Sequence, residues 1–235
     1  MLHMKIVSPH PWKVSPAEGI EIQRRLRNKL IKENRLSHVD AVAGIDVGVK
    51  RGVAKAAVIV LEYPSLAPLE QALVSLPVEM PYIPGLLAFR EAPAILRALE
   101  GLERGPDLFI LDGQGIAHPR RMGIATHIGI IVDKPTIGCA KSRLTGSHSD
   151  PQPEGGSYTY LYDRGETIGA VLRTRTNIAP IYVSIGHKVD LETAIHYVLS
   201  CCRGFRLPET TRLAHKVAAG ERLVAGAPRQ GLLPL

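Results

Sequence analysis

The first segment with a regular pattern of apolar and polar residues has the periodicity of a helix. Along residues 15–36, apolar side chains recur every four positions at Ile22, Leu26 and Leu30, which predicts a helix with one buried stripe. Ser15 has the S-x-x-E spacing of a capping box and stands directly before a proline, so it is the expected N-cap. The other faces are basic and fit either a solvated surface or contacts with phosphate groups. The basic residues are Arg24, Arg25, Arg27, Lys29, Lys32 and Arg35.

Three strand-like segments follow, at residues 39–47, 53–61 and 69–78. Their connections are short and rich in turn-forming residues, which favours antiparallel hairpins. A helical pattern then covers residues 86–102, and Pro93 either kinks this helix or marks its first turn.

The second half of the chain alternates between strand-like and helix-like segments. An apolar strand at 107–112 precedes a glycine-rich loop, a helix at 123–132 and a strand at 136–140, an order that favours parallel pairing. The remaining predictions are an exposed loop at 145–157, strands at 167–173 and 181–185, helices at 190–202 and 208–224, and a frayed tail from about 225 to 235. Together these elements predict one α/β domain over residues 1–235, with a ribonuclease H-like mixed sheet flanked by helices.

The amino-acid composition indicates what kind of partner the protein binds and in which compartment it is found. The 235 residues include 29 Lys and Arg against 22 Asp and Glu, and this excess of positive charge favours a polyanionic partner such as nucleic acid. Three cysteines are too few for a disulfide framework and are typical of reduced thiols. The apolar runs are too short to cross a membrane, and the first residues lack the apolar core of a signal peptide. We therefore expect a cytoplasmic protein without a membrane partner, and a monomer because no uncovered apolar stripe is evident.

Three acidic residues fall where such a sheet would bring them together. Asp46 ends the first predicted strand and Asp112 ends the fourth, and these strands are neighbours in this topology. Carboxylates so close repel each other, and a divalent cation relieves that repulsion. Glu91 lies on the intervening helix, which can cross the edge of the same site. The pattern predicts a metal site for Mg²⁺, with Mn²⁺ as an alternative ion.

Two further residues are candidates for the same site. Lys141 follows the strand at 136–140 and is placed to neutralise a phosphate oxygen, although it also fits a surface lysine. His215, on the last helix, fits either an approach to the metal or a structural role. Such a site suits metal-assisted phosphodiester hydrolysis, while the acids alone equally fit phosphatases and sugar-modifying enzymes.

Longer motifs narrow these choices. They are PYIPG at 81–85, FRE at 89–91, DGQGIAHPR at 112–120 and IGCAKS at 137–142, with AGIDV at 43–47, GHKVD at 186–190 and RLPETTRLAH at 206–215. Over about residues 12–218 the chain closely resembles the endonuclease V family. It departs from the family pattern at Ile185, where proline usually precedes the Gly-His pair, so no role is assigned to Ser184 or His187.

The resemblance implies a DNA repair endonuclease that recognises deoxyinosine, whose base is hypoxanthine. It implies hydrolysis of the second phosphodiester bond on the 3′ side, leaving 3′-hydroxyl and 5′-phosphate ends. The implied catalytic residues are Asp46, Glu91, Asp112, Lys141 and His215, of which the three acids hold the metal.

Reading one base inside a duplex requires flipping that base out of the stack. The resemblance implies that the segment Pro81, Tyr82, Ile83 and Pro84 is a wedge that fills the vacated space, with Tyr82 contacting the target DNA. The implied base pocket consists of Gly85, Gly113, Gly115, His118 and Gly138. Its glycines would let the backbone approach the purine, while His118 fits either a role in the pocket or a purely structural one.

Three other functions stay open at this point. The same wedge and pocket would serve an inosine-specific endoribonuclease, with inosine-containing RNA as the partner. A catalytically silent nucleic-acid-binding module is the second alternative, and the presence of all three acids argues against it. A junction- or flap-cutting nuclease is the third, although it has no need of the PYIPG motif.

Overall fold

One mixed sheet organises the chain, and the computed structural model describes residues 6, 8–224 and 231–232 of it. The strands are β1 (Ala41–Lys50), β2 (Val53–Glu62), β3 (Pro68–Pro77), β4 (Leu108–Leu111), β5 (Thr136–Ala140), β6 (Tyr158–Asp163), β7 (Glu166–Leu172), β8 (Ile181–His187) and β9 (Gly231–Leu232). The α-helices are α1 (Pro16–Leu26), α2 (Leu87–Glu100), α3 (Ile124–Val132), α4 (Leu191–Ser200) and α5 (Glu209–Ala218).

The strands lie in the order β6-β7-β8-β5-β4-β1-β2-β3-β9. Strands β1, β2 and β3 form the predicted antiparallel meander, and β4 pairs in parallel with both β1 and β5. Strand β8 returns antiparallel to β5 and continues the sheet through β7 to β6. This arrangement confirms the predicted ribonuclease H-like α/β fold.

Helices cover both faces of the sheet because successive strand residues point to opposite sides. On one face, Val42 and Ile110 pack in a cluster with the apolar residues of α4 and α5. On the other face, Ala43 and Phe109 pack with those of α2 and α3. Both faces are therefore buried near the centre of the sheet, and polar side chains there need a partner or a function.

The first helix is shorter than predicted. The predicted capping box is present, and the backbone N–H of Ser15 donates to the Glu18 carboxylate at 2.8 Å. However, α1 ends at Leu26, and a short 3₁₀ turn follows. Leu30 is already extended, with ψ of 127°, because the chain then runs beside β8, where Lys188 N–H donates to the Ile31 carbonyl at 2.8 Å. The predicted continuation to residue 36 is wrong because backbone pairing replaces the helix.

Other boundaries differ for local reasons. Pro93 lies inside α2 rather than in its first turn, and α5 ends at Ala218, two residues before Gly220, which takes a φ of +104°. Strand β6 is absent from the prediction because Tyr158, Tyr160 and Tyr162 alternate on its exposed face. An edge strand with an aromatic solvent face lacks the apolar alternation by which strands are recognised.

The predicted frayed tail falls mostly outside the described residues. Residues 225–230 and 233–235 are not described, and Gly231–Leu232 forms the short strand β9 beside β3. No helix among residues 6, 8–224 and 231–232 combines the length and apolar character needed to span a membrane.

Candidate active site

Two carboxylates meet where strands β1 and β4 stop pairing. Ile45 pairs with Leu111, and the N–H of Asp112 donates to the Ile45 carbonyl at 2.9 Å. Asp46 therefore lies beside Asp112, as predicted. The prediction that Asp46 ends its strand is wrong, since β1 continues to Lys50 by pairing with β2 alone.

A cationic or polar partner holds each of these two acids. His215, on α5, bonds through Nδ1 to Oδ2 of Asp46 at 2.8 Å, and Lys141 donates to Asp112. Burial alone would lower the pKa of Lys141, but its hydrogen bond to Asp112 and the attraction of both acids raise it. Lys141 therefore keeps its positive charge at the site.

Glu91 reaches the same place from α2. Burial raises its pKa to about 7, and the charges of Asp46 and Asp112 add to the rise while Arg90 opposes it. Burial and the neighbouring Asp46 also raise the pKa of Asp112, against the opposing effect of Lys141. Burial and the neighbouring carboxylates thus disfavour the charged forms of Glu91 and Asp112.

The five predicted catalytic residues line one cavity of about 650 Å³, which we call the acid cavity. They are Asp46, Glu91, Asp112, Lys141 and His215. They come from β1, α2, the loop after β4, the segment after β5 and α5, so the fold brings together residues that lie up to 169 positions apart.

The donor set of the acid cavity fits a divalent metal ion. Clustered carboxylates whose charged forms are mutually disfavoured are stabilised by a cation, and their hard oxygen atoms suit Mg²⁺ or Mn²⁺. As the side chains stand, no three His, Cys, Asp or Glu residues of the described chain are arranged around one point as metal ligands. Asp46 and Asp112 instead bond to His215 and Lys141.

A second cavity, of about 310 Å³, adjoins the first, and we call it the base cavity. Leu87, Asp112 and Lys141 line both cavities. Four residues predicted for the wedge and base pocket line the base cavity, namely Tyr82, Gly85, Gly113 and His118.

His118 is a buried, neutral member of the base cavity. Burial and the nearby charges of Arg120 and Arg121 lower its pKa to about 4. The backbone N–H of Arg120 donates to its Nδ1 at 3.1 Å, which makes Nε2 the protonated atom that donates to the Gly85 carbonyl at 3.0 Å. His118 therefore fixes the loop of the PYIPG motif against the loop after β4.

The four predicted pocket glycines divide into two pairs. Gly85 has a φ of +80°, and a Cβ there would lie 2.7 Å from Arg120 Nη2. Gly115 and Gly138 do not line the base cavity, in contrast to the expectation. A Cβ on Gly115 would lie 2.0 Å from the Ile185 carbonyl oxygen, and one on Gly138 would lie 2.2 Å from the Gly115 nitrogen. These two glycines permit the loop to pack directly on β5 and β8.

The predicted wedge also divides by exposure. Tyr82 is 61 % exposed, and its ring lies 5.8 Å from the guanidinium carbon of Arg90. Pro81 and Pro84 are exposed on either side of it. Ile83 is half-buried against the apolar cluster beneath α1 and α2, so it anchors the loop while Tyr82 projects.

Several residues of the site carried no sequence signal. Gln23, on α1, is buried and donates to the carbonyls of Gly85 at 3.0 Å and Met122 at 3.2 Å. Ser184 Oγ accepts from the Gly115 N–H at 2.9 Å and so holds the glycine loop on β8. Their roles depend on contacts between distant segments, which spacing along the chain does not reveal.

Two other buried polar residues, Gln114 and His187, lie in different places relative to the site. Gln114 lines the base cavity, donates to the Ser142 carbonyl at 2.8 Å, and has a buried Oε1 without a hydrogen-bond partner in the described chain. His187 is buried at the opposite end of β8 from the site, where its Nδ1 accepts from the Ile31 N–H at 3.3 Å. His187 is therefore a structural residue.

Known proteins resemble this chain over nearly its whole length. The family model described as Endonuclease V matches residues 24–216. An endonuclease V from Rippkaea orientalis is 52 % identical over 220 residues, which cover 93 % of this chain and 96 % of that protein.

Solved structures agree with the sequence comparison. The crystal structure of endonuclease V from Streptomyces avermitilis is 37 % identical, with a TM-score of 0.85 over 93 % of this chain and 96 % of that one. The endonuclease V of Ciona intestinalis, in complex with a 24mer DNA containing an inosine followed by a ribo-adenosine, is 29 % identical, with a TM-score of 0.74 over 86 % of this chain and 95 % of that one.

Proposed function

Since this chain belongs to the endonuclease V family and is a nuclease that acts on phosphodiester bonds, we propose that its substrate is DNA containing deoxyinosine. The proposed reaction is metal-dependent hydrolysis of the second phosphodiester bond on the 3′ side, which leaves 3′-hydroxyl and 5′-phosphate ends. The proposed biological role is the repair of deaminated adenine in the cytoplasm, by a monomer.

The observation that carries this proposal is the contact between the two cavities. Leu87, Asp112 and Lys141 line both, so a base held in one places the neighbouring backbone at the carboxylates of the other. A strand whose flipped base is fixed beside a hydrolytic centre is cut at a set distance from that base. The inosine-containing DNA bound by the Ciona intestinalis relative supports the same class of ligand.

In the proposed mechanism, Asp46, Asp112 and Glu91 would hold the divalent metal ion. When bound, such a metal activates water and stabilises negative charge on the reacting phosphate. Lys141 supplies a fixed positive charge for a phosphate oxygen, and its bond to Asp112 positions that charge. His215 orients the Asp46 carboxylate through its 2.8 Å hydrogen bond.

The base cavity supplies a basis for recognising hypoxanthine. Hypoxanthine carries a donor at N1, where adenine carries an acceptor. The buried Oε1 of Gln114 is an acceptor without a partner in the described chain, and such an atom favours a ligand that brings a donor. A base of opposite polarity would leave the acceptor unpaired, and this penalty underlies discrimination by hydrogen bonding.

A cleavage map tests the proposal. An end-labelled duplex with one deoxyinosine is incubated with the protein and Mg²⁺, beside a matched duplex with deoxyadenosine and a matched RNA with inosine. A single nick at the second bond 3′ to deoxyinosine is the expected product. Preferential cutting of the RNA would instead identify the protein as an inosine-specific endoribonuclease. Binding without any cut would identify it as a catalytically silent nucleic-acid-binding module.

Replacing Tyr82 with alanine is expected to separate duplex from single-stranded substrates. The exposed ring fills the gap left by a flipped base, and base–aromatic stacking contributes about 1–3 kcal/mol per base. We expect Tyr82→Ala to lower the nicking rate on an inosine duplex by about 10- to 100-fold. The loss on a single strand of the same sequence should be several times smaller, since that strand has no stack to refill.

The matched control is Tyr162→Ala, which removes another exposed tyrosine ring, 47 % accessible, from the edge strand β6. This variant should nick both substrates as the unmodified protein does. Equal losses of Tyr82→Ala on duplex and single strand would show that the ring does not act as a wedge.

A further inference from the structure

A third cavity, of about 270 Å³, lies beside the base cavity and is strongly basic. We call it the arginine cleft. It is lined by Arg24, Arg27, Asn28, Pro119, Arg120 and Arg164. These residues come from the end of α1 with the 3₁₀ turn after it, the loop after β4, and the turn between β6 and β7, so three distant segments each contribute at least one guanidinium group.

Acidic side chains leave most of this charge uncompensated. Arg24 lies 3.7 Å from Glu21 in a solvent-exposed pair, and Arg164 lies 4.0 Å from Asp163, which already pairs with Arg121 at 2.8 Å. In the part of the chain that the structure describes, Arg27 has no ion pair. Exposed pairs of this kind are weak, so the cleft presents a net positive surface.

Buried polar residues hold the three segments in place. Gln23 bonds through Oε1 to Arg120 Nε at 2.5 Å and through Nε2 to the Gly85 carbonyl, which ties α1 to the loop after β4. Arg121, whose side chain is only 6 % exposed, bonds to Asp163 and Glu166 at 2.8 Å and so ties that loop to the β6–β7 turn. The arginine cleft is therefore assembled by the fold before any ligand arrives.

The position of the arginine cleft follows from shared contacts. Arg120 Nη2 donates to the Gly85 carbonyl at 2.7 Å, and His118 Nε2 donates to the same oxygen. The base cavity thus adjoins the arginine cleft at Gly85 and adjoins the acid cavity at Asp112 and Lys141. The order along the surface is arginine cleft, base cavity, acid cavity.

We infer that the arginine cleft binds backbone phosphates on the 5′ side of the nucleotide whose base enters the base cavity. The inference rests on the proposed function, because a cut on the 3′ side of the base places the 3′ strand in the acid cavity. The part of the strand 5′ to the flipped nucleotide must then leave the base cavity on the side opposite the acid cavity, which is the side of the arginine cleft. Planar guanidinium groups converging on a concave surface are suited to phosphate oxygens, which accept two hydrogen bonds from one arginine.

The test compares variants with chemically neutralised phosphates. Arg24, Arg27 and Arg164 are changed together to Gln, while Arg120 is kept because it also supports Gly85. Affinity for a single-stranded deoxyinosine oligonucleotide is measured in an Asp112→Asn background, which prevents cutting. We expect the triple variant to bind at least about tenfold more weakly, with the slope of log affinity against log salt reduced by about 2 to 3.

Methylphosphonate substitution then locates the contacts. Neutralising the first three phosphates 5′ to the inosine should weaken binding by the parent protein, in which the arginine cleft is intact. The same change should have little further effect on binding by the triple variant. Neutralising the 3′ phosphates should weaken both proteins equally. Arg104→Gln, at an exposed site before β4, removes one charge elsewhere and should leave the affinity unchanged.

Two results would overturn the inference. One is a triple variant as sensitive to the 5′ neutralisation as the parent protein, and the other is a loss confined to the 3′ phosphates. If the parent itself does not prefer the inosine oligonucleotide to a guanosine one, the proposed function fails instead. In that case the salt slope on unmodified single strands still reports whether the arginines contact phosphate.

Discussion

Changing Asp112 to asparagine should abolish nicking without weakening the fold. Asparagine has nearly the same shape but neither the charge nor the metal affinity of a carboxylate. We therefore expect the nicking rate to fall by at least about 10³-fold, while the affinity for the inosine strand stays within a few-fold of that of the unmodified protein. The backbone N–H of Asp112 would still donate to Ile45 at 2.9 Å.

Stability should respond in the opposite direction to activity. Burial and the neighbouring carboxylate of Asp46 raise the pKa of Asp112, which means that its charged form is disfavoured in the folded protein. A neutral amide removes part of this repulsion, so we expect the midpoint of thermal unfolding of Asp112→Asn to be unchanged or higher. Such a result would identify Asp112 as a residue that serves the reaction at a cost to the fold.

The control for this substitution is Glu103→Gln, which removes a charge from an exposed loop before β4. It should leave nicking and unfolding unchanged. Nicking by Asp112→Asn at more than a tenth of the normal rate would refute the assignment of Asp112 to the metal. A large fall in its unfolding midpoint would show that the carboxylate is structural.

Changing Gly44 to alanine should destabilise the protein strongly. A Cβ on Gly44 would lie 1.9 Å from the carbonyl oxygen of Thr210 and 2.3 Å from its carbonyl carbon. These atoms belong to the backbone of the first turn of α5, so the clash is relieved only if the helix moves away from β1. We expect a loss of about 3 kcal/mol or more in the free energy of unfolding, and a thermal midpoint lower by about 6–12 °C.

Activity should fall with stability because α5 carries His215. A helix displaced from β1 separates His215 from Asp46, whose atoms are 2.8 Å apart in the native packing. The matched control is Gly48→Ala on the same strand, where an added Cβ meets nothing within 4 Å. Urea unfolding curves for the two variants measure the difference, and equal shifts would contradict the role of close packing at Gly44.

The five predicted catalytic residues line one cavity, and for two of them a local sequence pattern indicates the position. Asp46 and Asp112 come after apolar strand segments and before glycine, and the order of strands makes β1 and β4 neighbours. One acid in such a position also fits a structural role, whereas three acids brought together by this topology favour a metal site. Glu91, Lys141 and His215 then line the same cavity, as predicted from their elements and from the family resemblance.

The residues that support the site could not be predicted in this way. Gln23 lies beside the apolar stripe of α1, and nothing near it in the chain indicates a bond to Gly85, 62 positions away. The family resemblance implies that Gly115 and Gly138 approach the base, and the structure shows a packing role for them, since each lacks a side chain where a loop meets β5 and β8. Sequence pattern reports the periodicity of one element, while these roles are set by how separate elements meet.

The arginine cleft shows the same limit. The basic character of α1 was evident from the sequence, but it fitted a solvated surface and a phosphate contact equally well. The placement of Arg164 and Arg120 beside Arg24 and Arg27 favours the phosphate contact that we infer. Convergence of like charges from three segments is unfavourable unless a ligand or solvent compensates it, and that convergence is invisible in one segment alone.

Metal-dependent nicking of a duplex with a single deoxyinosine is the most direct test of the proposed function. The labelled duplex and its deoxyadenosine counterpart are incubated with the protein in Mg²⁺, in excess chelator, and in chelator followed by restored Mg²⁺. We expect one nick, at the second bond 3′ to deoxyinosine, that is lost in chelator and returns with Mg²⁺, while the adenosine duplex stays uncut. Equal cutting of both duplexes, or a nick that persists in chelator, would contradict it.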